Sequence, residues 1–307
     1  MTLLDVIKKL IFLAPTRCGR TYYHCDIVSS EDNIKLTFTP TDKYLLLDPR
    51  REEEEFMPAH FHSFEKAEHI GLVIGSLEYY FKRNAINYTV EGTDTVVLTV
   101  EKNNNEVDTD VDVWKKFKHA HRSFNVQTQI DTETYNLLSD KIDEFLKVNN
   151  GHKIMISDLA VVKKLKALSK YWDSDGDSCD GSPQMIAPLV MSVPPKEFDL
   201  EYYMQMGRLY SDIGLTAISR GYQFAFSNTF NYPDPRVRRV QEEIFLDYDS
   251  YTLDNVVPRS FMCMGKALDP SKPHNWVAED NVYDDDIAPS CILLTKEFVQ
   301  IREEVVV

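Results

Sequence analysis

The sequence predicts an α+β sandwich, with helices packed on a sheet and two half-folds in tandem within one chain. Three observations carry this. Amphipathic helices and short alternating strands follow one another with hairpin and non-local pairings, without the regular rhythm of a doubly wound parallel sheet. Glycine is scarce, 11 in 307 residues, and no G-x-G-x-x-G or P-loop pattern occurs. Finally, Gly71–Val90 (GLVIGSLEYYFKRNAINYTV) is echoed by Gly207–Phe226 (GRLYSDIGLTAISRGYQFAF). Aligned without gaps, Gly71 coincides with Gly207, and apolar residues coincide at Val73/Leu209, Leu77/Ile213, Ile86/Tyr222, Tyr88/Phe224 and Val90/Phe226. Both stretches read as a long helix running through a tight turn into an alternating strand. Identity is almost nil, so the echo is one of pattern.

The elements follow in order. Leu3, Leu4, Ile7, Leu10 and Ile11 share one helical face, and Thr2 with Asp5 forms the cap, so the chain opens on an amphipathic helix ending before Pro15. His24–Ser29 and Asn33–Thr39 read as a hairpin, with Ile34, Leu36 and Phe38 alternating with polar residues. A loop carries Asp48–Glu52 and the acidic run Glu52–Glu55. A long helix spans Ser63 to Asn84, followed by strands over Tyr88–Val90 and Thr95–Val100. The polar stretch Asn103–Asp112 is the expected boundary between an N-terminal half, residues 1–106, and a C-terminal half, residues 107–307, which share one core.

The second half opens with Trp114–Phe124. A helix over Thr132–Val148 is capped by Asp131 or Thr132. Asp158–Tyr171 reads as a helix, Asp173–Pro183 as a loop and Leu189–Val193 as a buried strand. Leu200–Ser219 is a long helix with Gly221 as its C-cap. Tyr222–Phe226, Ser260–Met264 and Ser290–Leu294 read as strands, with an acidic loop from Glu279 to Asp286 between the last two.

Composition excludes several classes. Apolar residues make up 43% and charged residues 27%, a globular balance. Lys and Arg number 34 against 49 Asp and Glu, a net charge of -15, which argues against nucleic acid as a partner because such a binder needs cationic surface. No apolar run reaches about 18 residues, so no membrane span is expected. Asp5, Lys8 and Lys9 interrupt the first apolar stretch, unlike a signal peptide. Cys18, Cys25, Cys179, Cys263 and Cys291 are scattered and odd in number, which fits free thiols in a cytoplasmic protein.

Other constellations are weaker. His60, His62 and His69, with His119 and His121, match no standard zinc spacing, so no metal is expected. Asp173-Ser174-Asp175-Gly176-Asp177 evokes a calcium loop, but Ser178 and Gln184 occupy the positions that need Gly and Glu. No G-x-S-x-G elbow occurs, and no catalytic residue is assigned.

Several segments together resemble the long, internally duplicated nitroreductase-like flavoproteins. These are Ala14-Pro15-Thr16 after the first helix, the polar run Arg17 to Tyr23, the segment from Ile34-Lys35-Leu36 to Leu45-Leu46-Leu47-Asp48-Pro49-Arg50-Arg51-Glu52, and the long helix with Gly71 near its start. In the second half they are His121-Arg122-Ser123-Phe124-Asn125, the apolar strand after Ala187-Pro188, the helix Tyr203–Gly221 and the strand Phe261–Gly265. The resemblance covers most of the chain through motifs that are individually soft. It implies a nitroreductase-like sandwich with helices on a mostly antiparallel sheet, built as a single-chain pseudo-dimer that is a monomer or a homodimer.

The resemblance also implies FMN as cofactor and hydride transfer from NAD(P)H to a nitroaromatic, quinone or similar small-molecule acceptor. The protein then supplies a phosphate clamp, ring donors and a stacking face. The cofactor-binding residues it implies are Arg17, Gly19, Arg20, Tyr22, Tyr23, Arg122, Ser123 and Lys266. The chain departs from the family where Gly19, Thr21, Tyr22 and Tyr23 stand in place of an Asn and a Gln-Pro-Trp run, and where His121 and Asn125 replace arginines. An alternative expectation is therefore a degenerate nitroreductase fold that binds flavin or another anion, or serves as an interaction module, without turnover.

Overall fold

The computed structural model describes residues 1–14, 23–41, 59–102, 107–118, 125, 128–149, 151–158, 160–162, 184–191, 200–227, 256–258, 261–267 and 299–302. Its described elements are mixed helix and mainly antiparallel sheet. The chain divides into two units, one formed by Met1–Lys118, Phe198–Leu215 and Val277–Val307, the other by His119–Glu197 and Thr216–Trp276. The first unit thus draws on three separate stretches, a division unlike the linear one at residue 107.

In the first unit, α1 (Leu3–Leu13) starts at a complete capping box, in which Thr2 accepts from the Asp5 amide while the Asp5 carboxylate accepts from the Thr2 amide. Its apolar stripe, Val6, Ile7, Leu10 and Ile11, is fully buried, each side chain contributing about 1.5–3 kcal/mol. β1 (Tyr23–Ser29) and β2 (Asn33–Pro40) form the expected hairpin, with Ile27 opposite Leu36. Their period-2 alternation turns Tyr23, Cys25 and Ile27, and Ile34, Leu36 and Phe38, into the core. α2 (Ala59–Arg83) starts a few residues earlier than expected and leads to β3 (Tyr88–Glu91) and β4 (Val96–Glu101). α1 and α2 pack on each other, and α2 also packs on β1 and β2. α3 (Asp112–Lys118) buries Trp114, whose indole N–H donates to the Ser76 carbonyl at 3.1 Å.

In the second unit, α4 (Thr132–Val148) leads through a two-residue connection to β5 (Gly151–Ile156), which pairs antiparallel with β6 (Gln184–Met191). α5 (Leu200–Ser219) begins in the first unit and ends in the second, at β7 (Gln223–Ser227). β8 (Val256–Pro258) and β9 (Phe261–Gly265) both pair with β6, and β9 also pairs with β7. β10 (Val299–Arg302) returns to the first unit and lies parallel to β1.

The two sheets correspond. The first runs β10-β1-β2-β4-β3 and the second β5-β6-β9-β7, so in each an antiparallel pair is followed in the chain by a long helix, an edge strand and a strand inserted between. Tyr88 lies opposite Val100 in the first sheet, and Phe224 opposite Met264 in the second. Tyr88 and Phe224 are partners in the sequence echo. Both long helices end in a Schellman motif at echo positions. The Ile86 amide donates to the Phe81 carbonyl at 2.9 Å and the Tyr222 amide to the Ala217 carbonyl at 3.0 Å. The left-handed residues there are Ala85 (φ 51°) and Gly221 (φ 81°).

The echo glycines also meet. A Cβ on Gly71 would stand 2.0 Å from the Met204 carbonyl oxygen, and one on Gly207 would stand 2.1 Å from that of Glu68. A Cβ on Gly75 would lie 2.6 Å from the Arg208 carbonyl oxygen, while Ser211 Oγ donates to the Leu72 carbonyl at 2.6 Å. Each contact has a mate under exchange of the two aligned stretches, the signature of an isologous, two-fold arrangement. Small residues at positions 71, 75, 207 and 211 let the two backbones approach to this distance.

Some sequence expectations need correction. β5, β8 and β10 were not anticipated, because each is short and only partly apolar. β6 begins at Gln184 and not at Leu189, and Pro188 lies inside it. That proline sits between the β9 pairing (Gln184–Ile186) and the β8 pairing (Leu189–Met191), a break in which a missing N–H is tolerated. The expectation of free thiols holds for buried Cys25, but Cys263 is disulfide-bonded. The loops Asp48–Glu55, Asp173–Pro183 and Glu279–Asp286, the strand Ser290–Leu294 and most of the helix Asp158–Tyr171 lie outside the described residues. Among the described residues no helix is long and apolar enough to cross a membrane.

Candidate functional site

Of the implied cofactor residues only Tyr23 and Lys266 are described, and Lys266 lies at the end of β9. Lys266 follows that strand directly. Its carbonyl accepts from the Asn125 amide at 2.8 Å, so the last residue of the His121–Asn125 element lies beside it. Two segments that are far apart in sequence, and that the family resemblance assigns to one phosphate clamp, are thereby joined by a backbone hydrogen bond.

The surroundings of Lys266 are built from the end of α5 and the start of α4. Gly221, in the left-handed conformation that terminates α5, turns its carbonyl toward Lys266 Nζ at 2.9 Å. The same ammonium lies 4.0 Å from the centre of the Tyr222 ring, a cation–π contact. The Tyr222 hydroxyl donates to Asp131 Oδ2 at 2.6 Å and accepts from the Asp131 amide at 3.0 Å. Asp131 caps α4, accepting from the Thr134 amide at 2.7 Å and the Thr134 hydroxyl at 2.9 Å. Arg220 Nη1 reaches Glu133 Oε1 at 2.8 Å alongside.

These contacts set the protonation states. The Tyr222 hydroxyl and the donors from Thr134 hold the Asp131 carboxyl down at about 2. Burial first, and then the hydrogen bond to Asp131, raise the Tyr222 phenol above its ordinary value. At neutral pH Asp131 is thus held as a carboxylate and Tyr222 as a neutral phenol. An ammonium has three donors. Here one takes the Gly221 carbonyl, so the donor set at Lys266 fits an anionic oxygen.

Tyr23 has a different setting. It is 1% exposed, at the start of β1, with its ring edge-on to Phe38 at 5.6 Å. Its hydroxyl is buried without a hydrogen-bond partner, and burial, with Cys25 nearby, drives its pKa well up. Its ring is a core ring. Arg17, Gly19, Arg20, Tyr22, Arg122 and Ser123 lie outside the described residues. Among the described residues no group of three or more His, Cys, Asp or Glu side chains could hold a metal ion. Of the histidines, His69 is buried in α2.

Two groups were not singled out from sequence. Tyr222 enters as an apolar position of the echo and the start of a strand, and its hydroxyl role depends on a residue 91 positions away. Glu78 and Arg208 form a bidentate ion pair, with Nε–Oε2 at 2.8 Å and Nη2–Oε1 at 2.6 Å. The Glu78 side chain is only 5% exposed. Burial and Glu78 together push the neighbouring Tyr88 phenol up to about 12. A buried acid in a helix of this length was the available signal.

No family model matches the chain, and no curated protein matches it. Solved structures that it resembles include a nitroreductase with bound FMN from Bacteroides fragilis, at 14% identity and a TM-score of 0.42, covering 60% of this chain and 99% of that one. A nitroreductase with bound FMN from Desulfitobacterium hafniense is similar at 14% identity and a TM-score of 0.39, covering 54% of this chain and 94% of that one. An FMN-dependent nitroreductase from Clostridium difficile is similar at 13% identity and a TM-score of 0.39, covering 53% and 91% respectively.

Proposed function

We propose that the protein is an FMN-dependent oxidoreductase of nitroreductase type, built from two tandem half-folds, 1–106 and 107–307, in one chain. The observation that carries the architecture is the set of two-fold-related contacts between α2 and α5 at Gly71 and Gly207. The same order of the four corresponding strands and matching helix ends support the same reading. On this reading the long helices of the two halves pair within the chain as those of two subunits would.

For the site, the reading is supported by the hydrogen bond that joins Asn125 to Lys266. Lys266 would hold a phosphate oxygen, with Arg122 and Ser123 from the adjoining element, and Arg17, Gly19, Arg20 and Tyr22 are assigned to the flavin from the family resemblance, whereas Tyr23, buried in the core, is not. Bound FMN supplies hydride transfer between NAD(P)H and a nitroaromatic, quinone or similar acceptor. The Asp131–Tyr222 hydrogen bond orients the ring under Lys266 and so holds the ammonium in place. A cytoplasmic location belongs to the same proposal.

A second reading is favoured by one observation. Lys266 is already engaged by the Gly221 carbonyl and the Tyr222 ring, in a chain of net charge -15. A weak anion site of this kind suits a fold that binds or sequesters flavin without turnover, or an interaction module. The visible spectrum of the purified protein separates the two. The first reading expects absorption at about 450 nm that bleaches on adding NAD(P)H. Flavin reduced by dithionite but not by NAD(P)H would favour the second. A preparation that stays colourless after incubation with FMN would contradict the first.

A further inference from the structure

We propose that the Glu78–Arg208 ion pair makes α2 select α5 over a second copy of α2. The inference rests on the two half-folds of the reading above, and not on the flavin. Its basis is an asymmetry in an otherwise two-fold contact. The exchange that relates Gly71 to Gly207 and Gly75 to Ser211 relates Arg208 to Leu72 and Glu78 to Gly214. Yet Glu78 meets Arg208 through two hydrogen bonds.

The consequence follows by applying the same contact geometry to self-pairs. Two α2 helices paired in this way would set each Glu78 against Leu72, leaving two carboxylates buried without a cation. Two α5 helices would set each Arg208 against Gly214, leaving two guanidinium groups without the bidentate carboxylate of Glu78. Only α2 against α5 satisfies both charges. The small residues that allow the close approach do not discriminate, because positions 71 and 207 are both glycine and positions 75 and 211 are both small. Among the described residues the charge asymmetry of this contact lies in the Glu78–Arg208 pair, and discrimination by charge falls on it. A buried charge left unpaired penalises the wrong partner more than the satisfied pair favours the right one.

Three full-length variants test this, read by solution mass over a range of concentrations and by thermal melting. Glu78→Arg alone is expected to lower Tm by about 10 °C or to abolish soluble protein. The reversed pair, Glu78→Arg with Arg208→Glu, is expected to recover most of that loss and to keep the wild-type mass. The apolar pair, Glu78→Leu with Arg208→Leu, is expected to lose discrimination and to add larger assemblies absent from wild type; aggregation of this variant beside a soluble reversed chain is the same mispairing carried further. An apolar variant with the wild-type mass at every concentration would overturn the proposal, because the pair would then contribute stability alone. A reversed pair no better than Glu78→Arg would overturn it too. None of these readings uses flavin, so a colourless wild-type protein leaves them unchanged.

Discussion

The two long helices end in the same backbone geometry on different residues. α2 closes its Schellman motif on Ala85 and α5 closes on Gly221, both with positive φ. Only the second is a residue that adopts this conformation without a Cβ penalty. The strands that follow take the same order, yet β1 of the first sheet carries a core tyrosine and β9 of the second leads to a lysine whose carbonyl accepts from the Asn125 amide. The comparison teaches that one helix-end geometry serves two different settings, and among the described residues only the end of α5 carries the Lys266–Tyr222–Asp131 contacts.

The strongest way to break that comparison is at the helix contact. Gly71→Ala and Gly207→Ala should each destabilise by about 3 kcal/mol or more, since a Cβ at either site meets a backbone carbonyl at about 2 Å that has no flexible end to yield. Denaturant melts of both variants check this. A severe effect at one glycine and tolerance at the other would contradict the two-fold contact. Next in size is Tyr222→Phe, which removes the hydroxyl that joins the start of α4 to the end of α5. A loss of about 2 kcal/mol is expected, because the acceptor is an ionised carboxylate.

The helix ends sharpen the comparison through opposite signs. Ala85→Gly should stabilise by about 1 kcal/mol, and Gly221→Ala should destabilise by about as much or somewhat more. Equal signs would show that the two ends are not equivalent. The smallest effect concerns pH. Asp131 titrates at about 2 in the folded chain, below its ordinary 3.8. Its contribution is therefore fully present above pH 4 and is lost as pH falls through 2. Urea midpoints of wild type should converge on those of Asp131→Asn across that window, with no convergence at neutral pH.

How much was legible in the sequence follows from these same residues. Elements with their own signals came through: the Thr2–Asp5 capping box, the Ile34–Leu36–Phe38 alternation, the Asp131 cap and the Gly221 C-cap. The echo at Gly71 and Gly207 was visible, although its meaning as a contact was not, because a glycine in a helix gives no hint of what approaches it. The second small pair, Gly75 and Ser211, could have supplied that hint through its four-residue spacing from the first. β10 was hidden because four residues beside acidic neighbours have no pattern of their own and become a strand only against β1. β6 was cut short because Pro188 reads as a strand breaker until its place between two pairings is known. Of the candidate site, Lys266 was found through family resemblance. Its anchoring by Gly221 and Tyr222 is tertiary and left no local trace.

The central functional claim is that an anionic flavin tail is held where the His121–Asn125 element meets Lys266. Titrating FMN against wild type and Arg122→Ala, with quenching of flavin fluorescence as the readout, tests it most directly. The account expects saturable binding by wild type and at least a roughly tenfold weaker affinity in the variant, the loss of one charge-assisted contact. Equal affinities in the two proteins, or no binding by wild type, would contradict it.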